Sequence, residues 1–156
     1  MTFVSEIKDE ALPKHVHEMI CFGLYSASGA MNRAYGPMLS RLGLTYPQYI
    51  ALTVLWERDG QTVGAMCRAL RSDTSTVTPL LKRLEAAGLV VRRRGTEDER
   101  QVFVYLTARG RALQDYAPDI TRCIFEDTGL SKEELDDLLQ KLTVLRDNLL
   151  KSAQAG

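Results

Sequence analysis

The sequence predicts a mainly α-helical fold with one β-hairpin wing, and three observations lead there. Apolar residues recur at spacings of three and four along most of the chain, which is the helical period. Two segments depart from it: LVVRRR and QVFVYLT are rich in β-branched and aromatic residues and flank a polar stretch from Gly95 to Arg100, the pattern of a hairpin. With 156 residues, 45% hydrophobic and 26% charged, the chain is long enough to bury a core and polar enough to stay in solution.

The first helix is expected from about Lys14 to about Leu42. Pro13 suits its first turn, and Val16, Ile20, Leu24, Ala27, Met31, Ala34 and Met38 form its apolar face. Gly36 and Pro37 weaken the last turns and Gly43 ends them. Thr45 is then a natural N-cap with Pro47 just inside, and Tyr49, Leu52, Val54, Leu55 and Trp56 face inward until Asp59-Gly60. A short helix comes next, from about Val63 to Leu70.

Arg71-Ser72-Asp73 makes a turn into a fourth helix, with N-cap oxygens on Asp73, Thr74 and Ser75, an apolar stripe of Leu80, Leu81 and Leu84, and Gly88 past its end. Pro79 loosens or kinks its early turns. The hairpin pairs Leu89 to Arg93 with Val102 to Leu106. Thr107 caps a helix from near Ala108, and Ser131 with Glu133 and Glu134 opens the last one. Leu135, Leu138, Leu139, Leu142, Leu145, Leu149 and Leu150 give that helix an apolar face that needs a partner. This order of elements is that of a winged helix-turn-helix with extra helices at both ends.

Net charge is zero, but it is unevenly spread. Between Lys82 and Arg111 eight basic residues face four acidic ones, whereas Glu126 to Lys151 holds seven acidic against four basic. Such a dipole sets a basic surface before phosphate in a neutral molecule. No run approaches the roughly 18 apolar residues of a membrane span, and Met1 to Glu10 is too charged for a secretory leader, so a cytoplasmic protein is expected. Cys21, Cys67 and Cys123 are odd in number and far apart, hence free thiols at rest.

In VGAMCRALRSDTSTVTPLLKRLEAAGL a short helix braces a second whose first residues, Thr74, Ser75, Thr76 and Thr78, are small and polar enough to reach bases or phosphates. Each also has a plainer reading as a cap. Lys82 and Arg83 continue that helix. RRRGTEDERQ concentrates Arg92, Arg93, Arg94 and Arg100 on the hairpin, with Arg109 just after it, which suits a minor groove. Asp98 is placed to orient the Arg100 guanidinium.

Cys21 lies in EMICFGLYSASGAMNRAYGPML, about two turns into the first helix on that reading, where the helix dipole contributes little. A cysteine on an apolar helix face is ordinarily an inert core residue. Tyr25, one turn on, shares its face. Tyr35 is nearly in phase but about 21 Å away along the axis, so it meets Cys21 only from an antiparallel or crossed second subunit. Cys67 is expected to pack within the bracing helix.

LTYPQYIALTVLWE, TPLLKRLEAAGLV, RRRGTEDERQVFVYLTARGRAL and CFGLYSASGAMNRAY together resemble the MarR family of transcriptional regulators. Asp98 to Arg100 followed by Leu106 to Gly110 carries the family-level pattern, and the CFGLYSAS segment resembles the organic-hydroperoxide-sensing OhrR-type branch. The resemblance spans Glu18 to Leu113 densely and continues more loosely to Leu150. It implies a redox-sensing repressor, a homodimer on pseudo-palindromic double-stranded operator DNA, with each recognition helix in a major groove and Arg94 or Arg100 in the minor groove. It implies domains at 1–44 (dimerisation and sensing), 45–110 (DNA binding) and 111–156 (dimerisation helices). It further implies that organic hydroperoxide oxidises Cys21, that Tyr35 and Tyr46 of the second subunit bond to it, and that Cys123 either resolves the oxidised sulfur or stands by. Gly23, Gly29, Ser72, Thr74 and Ser75 depart from the branch's pattern, and these departures bear on peroxide preference and operator sequence.

A MarR-type repressor released by a small aromatic ligand is the main rival reading. A zinc site from His15, His17 and Cys21 lacks a fourth ligand and has its histidines facing apart. A thiol peroxidase lacks a catalytic arginine or threonine flanking Cys21 and an organised second site, and a protein-interaction module that does not bind DNA stands only if mutating Arg94 and Arg100 leaves DNA affinity intact. No cofactor, metal or enzymatic activity is expected.

Overall fold

The computed structural model describes residues 12–154, which fall into two compact units divided between Tyr116 and Ala117. In the first unit a 3₁₀ turn at Val16–Glu18 precedes α1 (Ile20–Arg41), α2 (Tyr46–Glu57), β1 (Gln61–Thr62), α3 (Val63–Leu70), α4 (Thr74–Ala86), β2 (Val90–Arg94), β3 (Val102–Leu106) and α5 (Ala108–Ala112), closing on a 3₁₀ turn at Leu113–Tyr116. The second unit holds α6 (Ala117–Thr128) and α7 (Lys132–Gln154).

The caps act as the sequence predicts. Thr45 Oγ1 accepts the Gln48 N–H while the Gln48 side chain accepts the Thr45 N–H, closing a capping box on α2. Asp73, Thr107 and Ser131 accept the N–H groups of Thr76, Gly110 and Glu134 in the same way. Gly88 ends α4 at φ 72°, and the Leu89 N–H returns to the Leu84 carbonyl. Pro79 sits inside α4, which runs unbroken from Thr74 to Ala86.

The first helix begins later than predicted. Glu18 draws the N–H groups of Lys14 and His15 onto its carboxylate, so the chain makes a 3₁₀ turn there and α1 starts at Ile20. The histidines also do not face apart: their rings stack with centroids 5.5 Å from each other. The helix expected after Thr107 is broken into α5, a 3₁₀ turn and α6, with Pro118 in the first turn of α6.

The sheet order is β1-β3-β2, antiparallel throughout. Val90 pairs with Leu106 and Arg94 with Val102, one residue beyond the predicted first strand, and Gln61 and Thr62 add a short edge that the sequence did not suggest. Leu39, Leu52, Leu55, Met66, Val77, Leu81, Leu84, Val90 and Val104 form the core beneath helix-turn-helix and sheet. Asp59 ties this core to the wing base, accepting the Leu106 N–H at 2.8 Å and the Arg111 guanidinium at 2.7 Å.

Apolar side chains stay outside in quantity. On α1, Ile20, Phe22, Leu24, Tyr25 and Met31 are exposed, and α7 has no buried residue, with Leu138, Leu139, Leu142, Leu149 and Leu150 in solvent. Faces of this kind are characteristic of association surfaces.

Candidate functional site

α3 and α4 meet through the turn Arg71-Ser72-Asp73. Arg71 there adopts a left-handed conformation, φ 49°, a position that glycine fills at less cost. Asp73 organises the start of α4: its Oδ1 accepts the Thr76 N–H at 2.9 Å and the Ser75 hydroxyl at 2.6 Å. These bonds hold its carboxyl below the ordinary value, the Ser75 hydroxyl contributing most. The helix therefore presents its first turn in a fixed conformation.

The four small polar residues of α4 separate to two sides. Thr74 and Thr78 border a cleft of about 480 Å³ together with Arg68, Arg92, Arg100 and Gln101, between the helix-turn-helix and the hairpin. Thr76 instead lines an apolar groove of about 210 Å³ with Tyr46, Pro47, Ile50, Leu70 and Ser72. Ser75 is exposed but engaged by Asp73. Lys82 and Arg83 are exposed further along α4.

Arg94 is exposed at the end of β2, and Arg100 is exposed at the tip. The expectation that Asp98 orients the Arg100 guanidinium is corrected: Asp98 Oδ1 accepts the backbone N–H of Arg100 at 3.0 Å, so it shapes the turn. Arg92 is drawn inward. Its Nε and Nη2 donate to Glu85 Oε2 at 3.0 and 2.8 Å and its N–H to Oε1 at 3.1 Å, fastening β2 to α4. Those bonds, side chain first, lower the Glu85 carboxyl's pKa. Arg93 packs its guanidinium over the Tyr105 ring, and Arg109 donates to the Ala87 carbonyl at 3.3 Å.

The sensor candidates occupy α1 and its neighbours. With α1 beginning at Ile20, Cys21 is in the first turn and not two turns in, next to backbone N–H groups that have no intrahelical partner. It is exposed, as is Tyr25 at 78%. Tyr35 is half-buried and packs on Tyr46, centroids 4.9 Å apart, and on Tyr49 at 5.8 Å. Burial first, then the two neighbouring phenols, raise the Tyr35 pKa, which keeps its hydroxyl a donor through neutral pH. Tyr49, which edges onto Trp56 at 5.8 Å, completes an aromatic cluster; its helical spacing marked it only as a core residue. Cys123 is exposed on α6, and Cys67 sits with its sulfur 3.9 Å from the Thr74 hydroxyl, where α3 packs on α4.

Arg68 and Gln101 also escaped the sequence reading. Arg68 belongs to the bracing helix, and only its appearance beside Thr74 across a turn of three residues hinted at a shared surface.

A recognition helix and an arginine-bearing wing on one compact unit define a DNA-binding winged helix-turn-helix regulator. The family profile described as transcriptional regulator SarA/Rot matches residues 33–116. The HTH-type transcriptional regulator TtmR of Methylorubrum extorquens strain PA1 is 42% identical over 144 residues, 92% of this chain and 73% of that protein. The organic hydroperoxide resistance transcriptional regulator of Bacillus subtilis strain 168 is 44% identical over 130 residues, 83% of this chain and 86% of the relative. Among solved structures, reduced AbfR of Staphylococcus epidermidis bound to DNA superposes with a TM-score of 0.72 at 32% identity, covering 86% of this chain and 94% of that one. The chain belongs to the MarR/SarA family of winged helix-turn-helix transcriptional regulators. It is a DNA-binding transcription factor and not an enzyme.

Proposed function

We propose that this protein is a redox-sensing repressor that holds its operator as a reduced homodimer and lets go when an organic hydroperoxide oxidises Cys21. The observation that carries the reading is the place of Cys21: an exposed thiol in the first turn of α1, on a helix whose apolar side chains are also uncovered. Peroxide reaches it directly, and a second subunit covering that helix would bring phenols to it. Relatives support the redox part. The Bacillus subtilis relative is named for organic hydroperoxide resistance, and AbfR is known in reduced DNA-bound, overoxidised DNA-bound and disulfide forms.

The chemistry needs a thiolate. Its sulfur attacks one peroxide oxygen, the O–O bond breaks, and the products are a sulfenic acid and an alcohol. The sulfenic acid then condenses with a thiol, either Cys123 of a second subunit or a small cellular thiol, losing water and forming a disulfide. Tyr46 offers a route to DNA, because it touches Tyr35 on one side and borders the groove beneath Thr76 and Ser72 on the other. A shift of the tyrosines toward a modified Cys21 moves the wall on which the recognition helix rests.

Intact-mass and peptide mass spectrometry of the protein treated with one equivalent of cumene hydroperoxide tests the assignment. Oxygen addition or disulfide formation at Cys21 is expected, with Cys21→Ser unreactive at that dose. Oxidation confined to Cys67 or Cys123 would remove Cys21 from the sensor role.

A further inference from the structure

The cleft between α3, α4 and the hairpin contains three arginines and no carboxylate among the residues that line it. Arg92 is committed to Glu85. Arg100 keeps its guanidinium free of acceptors among the described residues, since Asp98 takes only its backbone N–H. Arg68 is exposed, folds back over Gly64 with Nη1 3.7 Å from where a Cβ would stand, and has no hydrogen-bond acceptor for its guanidinium among the described residues. Two unpaired guanidiniums thus share one polar cleft with the hydroxyls of Thr74 and Thr78. All of these groups donate hydrogen bonds, and the cleft opens beside the first turn of the recognition helix.

We propose that this cleft seats a phosphate of the DNA backbone and that Arg68, on the bracing helix, is the residue that holds it. The inference rests on the DNA-binding reading and adds a contact to it. A phosphate bridging Arg68 and Arg100 would lock the recognition helix and wing to one strand at once. Such a contact fixes the register of the protein on the duplex without reading a base. The other cations at this surface differ from Arg68: Arg94 stands at the end of a strand, and Lys82 and Arg83 lie along the helix away from the cleft lining.

The test is the salt dependence of binding, measured by fluorescence anisotropy for the full-length reduced protein on its operator and on a scrambled duplex of equal length. Each neutralised phosphate contributes about 0.9 to the slope of log K against log salt, so Arg68→Ala in a dimer lowers the slope by about 1.8. It weakens both duplexes by the same factor. Arg68→Lys keeps the slope, because lysine still supplies a point charge, and Arg33→Ala on α1 leaves it unchanged. A thermal melt of each variant establishes that it is folded. If Arg68→Ala keeps the wild-type slope while Arg94→Ala weakens binding, the phosphate seat is wrong and the DNA-binding reading stands. Loss on the operator alone would also overturn it, by making Arg68 a base reader. A wild-type protein that binds neither duplex would sink the DNA-binding reading itself.

Discussion

Gly110 closes the junction on which the wing's position depends, and adding one methyl group there tests how tightly that junction is built. A Cβ at this position would overlap the Leu89 carbonyl oxygen and stand 3.0 Å from its carbon and 3.3 Å from Leu106 Cδ2. The oxygen cannot retreat freely, because it accepts the Thr107 N–H at 3.1 Å. Gly110 itself donates its N–H to Thr107 Oγ1 at 3.0 Å and accepts the Trp56 indole N–H at 3.0 Å. Relieving the clash means moving backbone by about 1 Å, an overpacking cost of about 1–3 kcal/mol. Losing one of the bonds adds about 1 kcal/mol. At about 2–4 °C per kcal/mol for a chain of this size, Gly110→Ala should melt roughly 5–15 °C below wild type. Circular dichroism melts at one fixed protein concentration measure this, the concentration mattering because dimerisation adds to stability. Gly64→Ala is the control: its Cβ would meet nothing nearer than Arg68 Nη1 at 3.7 Å, so it should be neutral or gain about 0.5–1 kcal/mol. A Gly110→Ala protein that melts within roughly 1 °C of wild type would refute the packing argument.

Arg94→Ala, which removes a minor-groove contact, should weaken operator binding by about 1–3 kcal/mol, and Arg100→Ala, which removes the second guanidinium at the phosphate, should weaken operator and scrambled duplex alike; anisotropy titrations check this, and two unaffected variants would leave the wing without a DNA role. Asp73 and Glu85 are both held below their ordinary carboxyl values of 3.8 and 4.5, so their contribution is present above those values and is lost as pH falls through the lower folded-state ones. Melting temperature should therefore drop as the solution is acidified below about pH 4, and the drop should be shallower in Glu85→Gln; identical acid profiles would contradict the assignment. Cys123→Ser should abolish a hydroperoxide-induced disulfide-linked dimer on a non-reducing gel while Cys21 still becomes oxidised, whereas persistence of that dimer would assign the second sulfur elsewhere.

The parts of the fold that could be read from sequence are those decided locally. Thr45, Asp73, Thr107 and Ser131 each cap the helix they were expected to cap, because the oxygen, the N–H and the turn between them lie within four residues. Gly88 likewise declared the end of α4. The features that stayed hidden depend on distant partners. Gln61 and Thr62 become a strand only by pairing with Val104 and Phe103. The α1 start was misplaced because Pro13 and the apolar period permit a helix from Lys14, while the Glu18 carboxylate captures the N–H groups of Lys14 and His15. That local competition changes the chemistry, moving Cys21 from about two turns inside the helix to its first turn. Glu85 was legible as a helix residue but not as the anchor of Arg92, seven positions away across a chain reversal.

Oxidation at Cys21 is the step that switches DNA affinity in the proposed function, and one titration addresses it most directly. Reduced wild type and Cys21→Ser are titrated by anisotropy onto the intergenic DNA upstream of the protein's own gene, before and after one equivalent of organic hydroperoxide. Both should bind when reduced, oxidant should release only the wild type, and dithiothreitol should restore it. Unchanged wild-type affinity after oxidation, or equal release of Cys21→Ser, would contradict the switch.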